Sequence, residues 1–482
     1  MSKRKKTRAA KKLKFRTASD SMGPVQVPAD AYYGAHTARS ISNFQISPFR
    51  THPEQIVALA LLKLACAKAN ADLGLLSGRK SVAIVRACRE IIGGGFRGEF
   101  PLDVFQSGSG TSTNMNMNEV VAGRATELLG GKRGEKLVHP NDEVNMGQST
   151  NNVFPSSIRV AALPLTLELS ATAGRFAKTL EKNGVKFDHV IKSGRTHLQD
   201  AVPVRVGQVF SAFARSINKD VERLRSKLRF FSELGVGGNA VGTGINTHPA
   251  FRKLIIKHLN KEVGGNLFRV TANGVEATHS TNDMADLSGG VQTLAVDVAR
   301  ICNDLRLMAS GPLTGFNEIT LPPVEPGSSI MPGKINPSIC EAVNMACLRV
   351  FGNHQTITMA ALSAQLELNP TMPVTAHALL ESLKILTAAI RTLDEKCVSG
   401  ISVNEEQCRK YAMESPSLAT FLNPVLGYDK AASVVKKALA QKKSIPHVVL
   451  EDRLLTKAEL DEILDPKRLT SPGIYKRNKI RR

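Results

Sequence analysis

The stretch GSSIMPGKINP, residues 327–337, places two adjacent serines, Ser328 and Ser329, close to a single cation, Lys334, with Asn336 immediately before a proline. A turn needs glycine or proline but has no use for paired hydroxyls beside a lysine. Successive backbone N–H groups in a glycine-rich loop form a concave anion site, and a lysine adds a compact point charge. The combination suits a small anionic substrate. It does not suit a phosphate-binding P-loop, which needs four residues between its glycines and a Ser or Thr after the lysine. Here five residues separate Gly327 from Gly333, and Ile335 follows Lys334. The glycines of GVGGNAVGTG, residues 235–244, likewise miss the dinucleotide-binding spacing and lack a parallel strand–helix–strand setting.

Three further stretches combine Gly, Ser, Thr and Asn and read as polar loops: SGSGTSTNMNMNE (107–119), HPNDEVNMGQSTNN (139–152) and GRTHLQDAVP (194–203). Each alone is explicable as turn or helix-cap chemistry. His197 stands inside a polar loop expected to be buried, and histidine is the side chain whose ordinary value lies near neutrality. Its ring is either a structural one, held by Arg195, Gln199 and Asp200, or a chemical one, and the local sequence leaves both open.

Long helices must hold these loops. In residues 287–308 the apolar positions Leu287, Val291, Leu294, Val298, Ile301, Leu305 and Met308 alternate in steps of four and three, one continuous seam. Phe210, Phe213, Ile217, Val221, Leu224 and Leu228 make a second stripe, and residues 163–183, 341–362 and 374–395 read as three more long helices. The expected fold is mainly α: a central long-helix bundle with smaller N- and C-terminal domains. Stripes of this length predict association between copies. Shorter helices are expected over 52–93 and 118–129, and few strands anywhere. The domain reading is a disordered basic tail (1–18), an N-terminal domain (19–146), the helical bundle (147–399), a small C-terminal domain (400–474) and a second basic tail (475–482).

The net charge is +22, but nine basic residues lie in the first sixteen and five in the last eight, with no acid in either; without those fourteen the body carries +8. Like-charged, weakly apolar ends are expected to stay solvated and to touch nucleic acid only non-specifically, through phosphate neutralisation. The seven cysteines are scattered, with no CxxC and no zinc-ligand spacing, as in a reduced cytoplasmic protein. No run of 18 apolar residues is present to span a membrane.

GSSIMPGKINPSICE resembles the signature of the fumarase/aspartase superfamily. SGSGTSTNMNMNE, VHPNDEVNMGQSTN, GRTHLQDA, GGNAVGTGINTHP and LNPVLGYDKAA resemble further motifs of that family in the same order, across residues 20–473. The resemblance implies a homotetramer whose central helices form one bundle, with each active site built from loops of three subunits. It implies reversible anti elimination of water or ammonia from a four-carbon dicarboxylate to give fumarate, with no metal or organic cofactor.

By motif, Ser328 matches the general base. Ser329, Lys334 and Asn336 match substrate-carboxylate ligands, and Ser109, Thr111, Ser149, Thr150, Asn151 and Thr196 match the remaining hydrogen-bond donors. His197 would position substrate or water, oriented by Glu341, and Gly327 and Gly333 would be hinges. Lys136, His139, Asn141 and Asp142 resemble a second anion site, with Lys136 standing where an arginine is usual. Asn152 and Leu313 also depart from the usual aspartate and arginine.

The motifs divide on the leaving group. SGSGT, NMNMNE, VHPND, INTHP and LGYDKAA lean to class II fumarate hydratase; DAYYGAHT and QSTN, with Thr150 where hydratases usually carry serine, lean to aspartate ammonia-lyase. The balance favours the hydratase. A non-catalytic binding protein with basic tails is the rival of another class, and the joint presence of Ser328, Lys334, Asn336 and His197 argues against it.

Overall fold

The computed structural model describes residues 14–474. Most of the first basic segment, all of the last, and with them the expected nucleic-acid contact, lie outside the described residues. Chain order begins earlier than residue 19: β1 (Phe15–Asp20) pairs antiparallel with β2 (Gly23–Pro28). The Arg16 guanidinium donates to the carbonyls of Ala31 (3.2 Å) and Tyr33 (2.8 Å). A basic residue that read as solvated tail is thus a structural donor.

Helices follow: α1 (Ala35–Asn43), α2 (Pro53–Asp72), α3 (Gly78–Ile92) and α4 (Thr111–Leu128). The fold is carried by five long ones, α5 (Thr150–Lys186), α6 (Val206–Phe231), α9 (Asn282–Met308), α10 (Ser338–Leu362) and α11 (Met372–Lys396), with the shorter α7 (Phe251–Val263) and α8 (Gly274–His279) between α6 and α9. Every residue of the Leu287–Met308 seam is buried, as are Phe210, Phe213, Ile217, Val221 and Leu224 of the second stripe. At about 25 cal/mol per Å² of apolar surface, such stripes supply the main favourable term of the bundle.

The described residues divide into two compact units, one of residues 14–169, 223–292 and 349–385, the other of 170–222, 293–348 and 386–474. In the first, α6 and α9 are joined by Lys227 and Asp286, α5 and α9 by Arg159 and Asp283, and α10 and α11 by Arg349 and Glu381. In the second, Asn218 of α6 donates to Glu181 of α5, and Asn344 of α10 to Asn303 of α9. Its C-terminal helices close over a separate apolar core that includes Leu418, Leu422, Val434, Val448 and Leu460.

All seven cysteines are buried thiols. Strand is confined, among the described residues, to two-stranded pairs, the longest being β1–β2 and the hairpin β3 (Ile191–Thr196) with β4 (Gln199–Arg205). No described helix is long and apolar enough to cross a membrane.

Candidate active site

The serine loop is a closed ring. Gly327 N–H donates to the Lys334 carbonyl (2.8 Å), and Asn336 Nδ2 returns a bond to the Gly327 carbonyl (2.7 Å). A Cβ at position 327 would sit 2.5 Å from the Lys334 carbonyl oxygen, so only glycine closes the ring. Inside it, Ser328 Oγ accepts two backbone N–H bonds, from Met331 at 2.9 Å and Ile330 at 3.2 Å. Ser328 is half-buried, whereas Ser329 and Lys334 are exposed. Two amide dipoles aimed at one hydroxyl oxygen lower the cost of negative charge there.

His197 is exposed in this chain, contrary to the expectation of a buried loop. The reason is a hairpin: Thr196 pairs with Gln199, so His197 and Leu198 form a two-residue turn with φ of 56° and 58°. Such turns favour Gly, Asn or Asp, and a leucine there is strained by about 1–3 kcal/mol. The hairpin is held at its base. Glu318, fully buried, receives Arg195 Nη1 at 2.7 Å, and Lys192 Nζ lies 3.2 Å from its other oxygen without hydrogen-bond alignment. Arg195 also stacks on Phe316, 4.2 Å from the ring centroid. Glu341 lies 3.7 Å from Arg306, and among the described residues no hydrogen bond joins it to His197.

The remaining candidates sit in the other unit. The 107–119 stretch is mostly helix, α4 starting at Thr111. Its buried Thr113 and Asn116 bond Gln106 and the Glu99 carbonyl, so amides and hydroxyls fill positions where an apolar stripe would normally mark a helix. Ser109 is buried with φ 60°, and its Oγ lies 3.5 Å from Thr111 Oγ1. Gly110 (φ 85°) faces the Phe154 ring so closely that a Cβ would come within 2.3 Å of it.

Ser149 precedes α5, with Oγ accepting from Asn151 N (3.3 Å). Asn151 Nδ2 reaches the Ala240 carbonyl in the glycine-rich loop (2.8 Å), and Thr150 Oγ1 accepts from Asn114 Nδ2 (2.9 Å). Asn152 donates to Thr278 Oγ1 (2.6 Å), while its own Oδ1 is buried without a partner. Leu313, the other departure, is 94% exposed.

Lys136, His139, Asn141 and Thr111 line one cavity of about 940 Å³, so the second anion-site candidates share a space with a first-site candidate. Lys136 Nζ turns to the Ser19 carbonyl (3.3 Å), and His139 Nδ1 accepts from Asp142 N (3.2 Å). The Asp142 carboxylate lies 3.1 Å from the same nitrogen.

Two residues that sequence reasoning does not single out also bear on the site. Glu318 is one. Lys63, completely buried in α2, is the other: its ammonium donates to Asn145 Oδ1 (2.9 Å) and Gln148 Oε1 (2.8 Å), directly before Ser149 and Thr150. The available signal was a lysine inside the apolar run ALALLKLACAKA.

Comparison with known proteins identifies the family. A lyase family model matches residues 23–352, and a model of the fumarase C C-terminus matches residues 418–471. Aspartate ammonia-lyase of Helicobacter pylori (strain J99) is 43% identical over 96% of this chain and 100% of its own. Fumarate hydratase class II of Thermus thermophilus is 44% identical over 95% and 99%. Among solved structures, a fumarate lyase:delta crystallin from Brucella melitensis bound to cobalt superposes with a TM-score of 0.92 at 44% identity, covering 95% of this chain and all of that one. The class II fumarase of Schistosoma mansoni gives 0.90 at 39%, covering 94% and 98%. With its helical bundle and its loop motifs accounted for together, the chain belongs to the fumarase/aspartase superfamily of lyases.

Proposed function

We propose that the protein is a class II fumarate hydratase, interconverting L-malate and fumarate by anti addition and elimination of water. The observation that carries the reading is the pair of amides on Ser328 Oγ. A serine hydroxyl is far too weak an acid to serve as a base at neutral pH unless a preorganised field supports its alkoxide. Ile330 and Met331 N–H supply part of that field, and Lys334 in the same loop supplies a charge.

In the elimination direction, Ser328 Oγ takes the proton from the carbon beside a carboxylate. The electron pair moves into that carboxylate, which Lys334 and Asn336 hold as it gains charge, with Ser329 beside them. As the pair returns to form the double bond, the hydroxyl on the neighbouring carbon takes a proton from a solvent water beside His197 and Thr196 and departs as water, and the hydroxide left behind is neutralised by the proton that Ser328 Oγ releases. Ser109, Thr111, Ser149, Thr150 and Asn151 bind the rest of the dicarboxylate, and Glu341 orients His197. Lys136, His139, Asn141 and Asp142 form a second anion site at the approach.

The working assembly is a homotetramer with sites shared among three subunits, in the cytoplasm. An apolar stripe on α10 supports it: Met345, Leu348, Met359 and Leu362 are 65%, 65%, 52% and 76% exposed on one helix. A bundle helix does not leave such a face to water without a partner copy.

Aspartate ammonia-lyase is the second reading, favoured by Thr150 and by relatives of that name at the same identity. The balance of the loop motifs leans the other way, and Asn114 already donates to Thr150 Oγ1, which leaves the hydroxyl hydrogen available to a substrate oxygen. Fumarate absorbance in the ultraviolet, followed with L-malate and with L-aspartate, tests both. Turnover of aspartate alone would replace the first reading by the second.

A further inference from the structure

Lys63 is a buried cation that the mechanism above does not use. Its side chain is wholly enclosed, and burial pulls the ammonium down to about 7. The thiols of Cys66 and Cys88 lie nearby, and the groups that bond it are neutral amides rather than carboxylates. An ammonium only donates, so the amide oxygens of Asn145 and Gln148 must face it and their NH2 groups must face away. They do: Asn145 Nδ2 donates to the Gln148 carbonyl (3.1 Å) and Gln148 Nε2 to the Val144 carbonyl (3.0 Å).

Fixed in that sense, Asn145 Oδ1 also accepts from Asn118 Nδ2 (3.1 Å) and Asn114 Nδ2 (3.3 Å). The second hydrogen of Asn114 Nδ2 goes to Thr150 Oγ1 (2.9 Å). Lys63 thus fixes Asn145 Oδ1 as an acceptor, that acceptor holds Asn114 Nδ2 as a donor, and Asn114 in turn donates to Thr150. Asn114 Oδ1 is buried and has no partner. The competing state is therefore explicit: a flipped Asn114 amide would accept the Thr150 hydrogen and turn the hydroxyl inward.

We propose that Lys63 is a positioning residue that sets the polarity of the Thr150 hydroxyl through Asn145 and Asn114, so that Thr150 presents a donor to an oxygen of the dicarboxylate. The proposal rests on the functional reading above and deepens it. It gives a role to a lysine at a fully buried position, where its desolvation opposes folding. It also explains why three asparagines, costly to bury, surround the start of α5.

The test is a double-mutant cycle in malate turnover on the full chain. Lys63→Met keeps the shape and removes the donor, Thr150→Val removes the hydroxyl, and each is expected to lower kcat/KM by about 10²-fold. Because both break one interaction, the double variant is expected to lose about 10²-fold as well, not about 10⁴-fold. Asn114→Asp provides a second route if Lys63→Met fails to fold: a carboxylate only accepts, so it reverses the polarity directly and should be equally non-additive with Thr150→Val. Additive losses with wild-type turnover intact overturn the relay alone. A wild type that does not turn over malate overturns the functional reading and the relay with it.

Discussion

Arg195 Nη1 lies 2.7 Å from Oε1 of Glu318, a carboxylate with no exposed surface, and this contact ties the strand leading into the His197 turn to the segment that precedes the serine loop. The Glu318 backbone is held as well, donating to the Met308 carbonyl (2.8 Å) and accepting from Asn404 N (2.9 Å). Two catalytic candidates, His197 and Ser328, therefore stand on chain anchored by one acid. Glu318→Gln keeps the shape but leaves Lys192 and Arg195 buried without a countercharge. Breaking a buried pair in this way costs about 3–5 kcal/mol. The variant should melt at clearly lower temperature and lose malate turnover in kcat more than in KM; an unchanged melting curve would show that the acid is not the anchor.

Ser328→Ala removes the proposed base and leaves the ring of bonds between Gly327, Lys334 and Asn336 intact. General-base catalysis is worth about 10²–10⁴ in rate, so kcat should fall by that factor while KM stays within a few-fold. Steady-state kinetics with L-malate reads it directly. Full activity in this variant would assign the base elsewhere.

Gly110→Ala tests the packing under Ser109 and Thr111. The new methyl would meet the Phe154 ring at 2.3 Å on a residue already at φ 85°. Overpacking costs about 1–3 kcal/mol and the left-handed backbone about 1–2 kcal/mol more. Thermal denaturation should show a loss of several degrees, and the combined Gly110→Ala, Phe154→Ala variant should lose less than the sum of the two single losses, because the clash is absent from it.

These positions show where the sequence was legible. The five long helices were, because each carries an apolar stripe of helical period that the bundle buries, as Leu287 through Met308 do. The serine loop was, because no turn explains Ser328, Ser329 and Lys334 together. The start of α4 was not: Thr113, Asn114 and Asn116 are buried by hydrogen bonding rather than by apolar contact, and hydropathy has no signal for that. The hairpin was not either, since His197 and Leu198 occupy a turn with no glycine or asparagine to announce it. Lys63 lies in the apolar run ALALLKLACAKA, but only the three-dimensional cage of Asn145 and Gln148 reveals what a buried cation there bonds to.

His52 and His377 supply a pH dependence outside the chemistry. Their rings stack with centroids 5.0 Å apart, and His52 Nε2 and both ring nitrogens of His377 are buried without hydrogen-bond partners. Burial lowers both from the ordinary histidine value. For His52, charge on His377 and on Lys384 opposes protonation further, against Glu54 and Glu381; for His377, Glu381 favours protonation and Arg349 opposes it. In the unfolded chain both rings take up protons near pH 6.5. Below that value the unfolded state binds more protons than the folded one, so stability falls as the pH drops through and below about 6.5, and is unaffected by this pair above it. His377→Gln should flatten that acid limb in melting experiments between about pH 7 and 5 while leaving the limb above pH 7 parallel to the wild type. An acid limb as steep as that of the wild type would place the proton-linked loss at other groups.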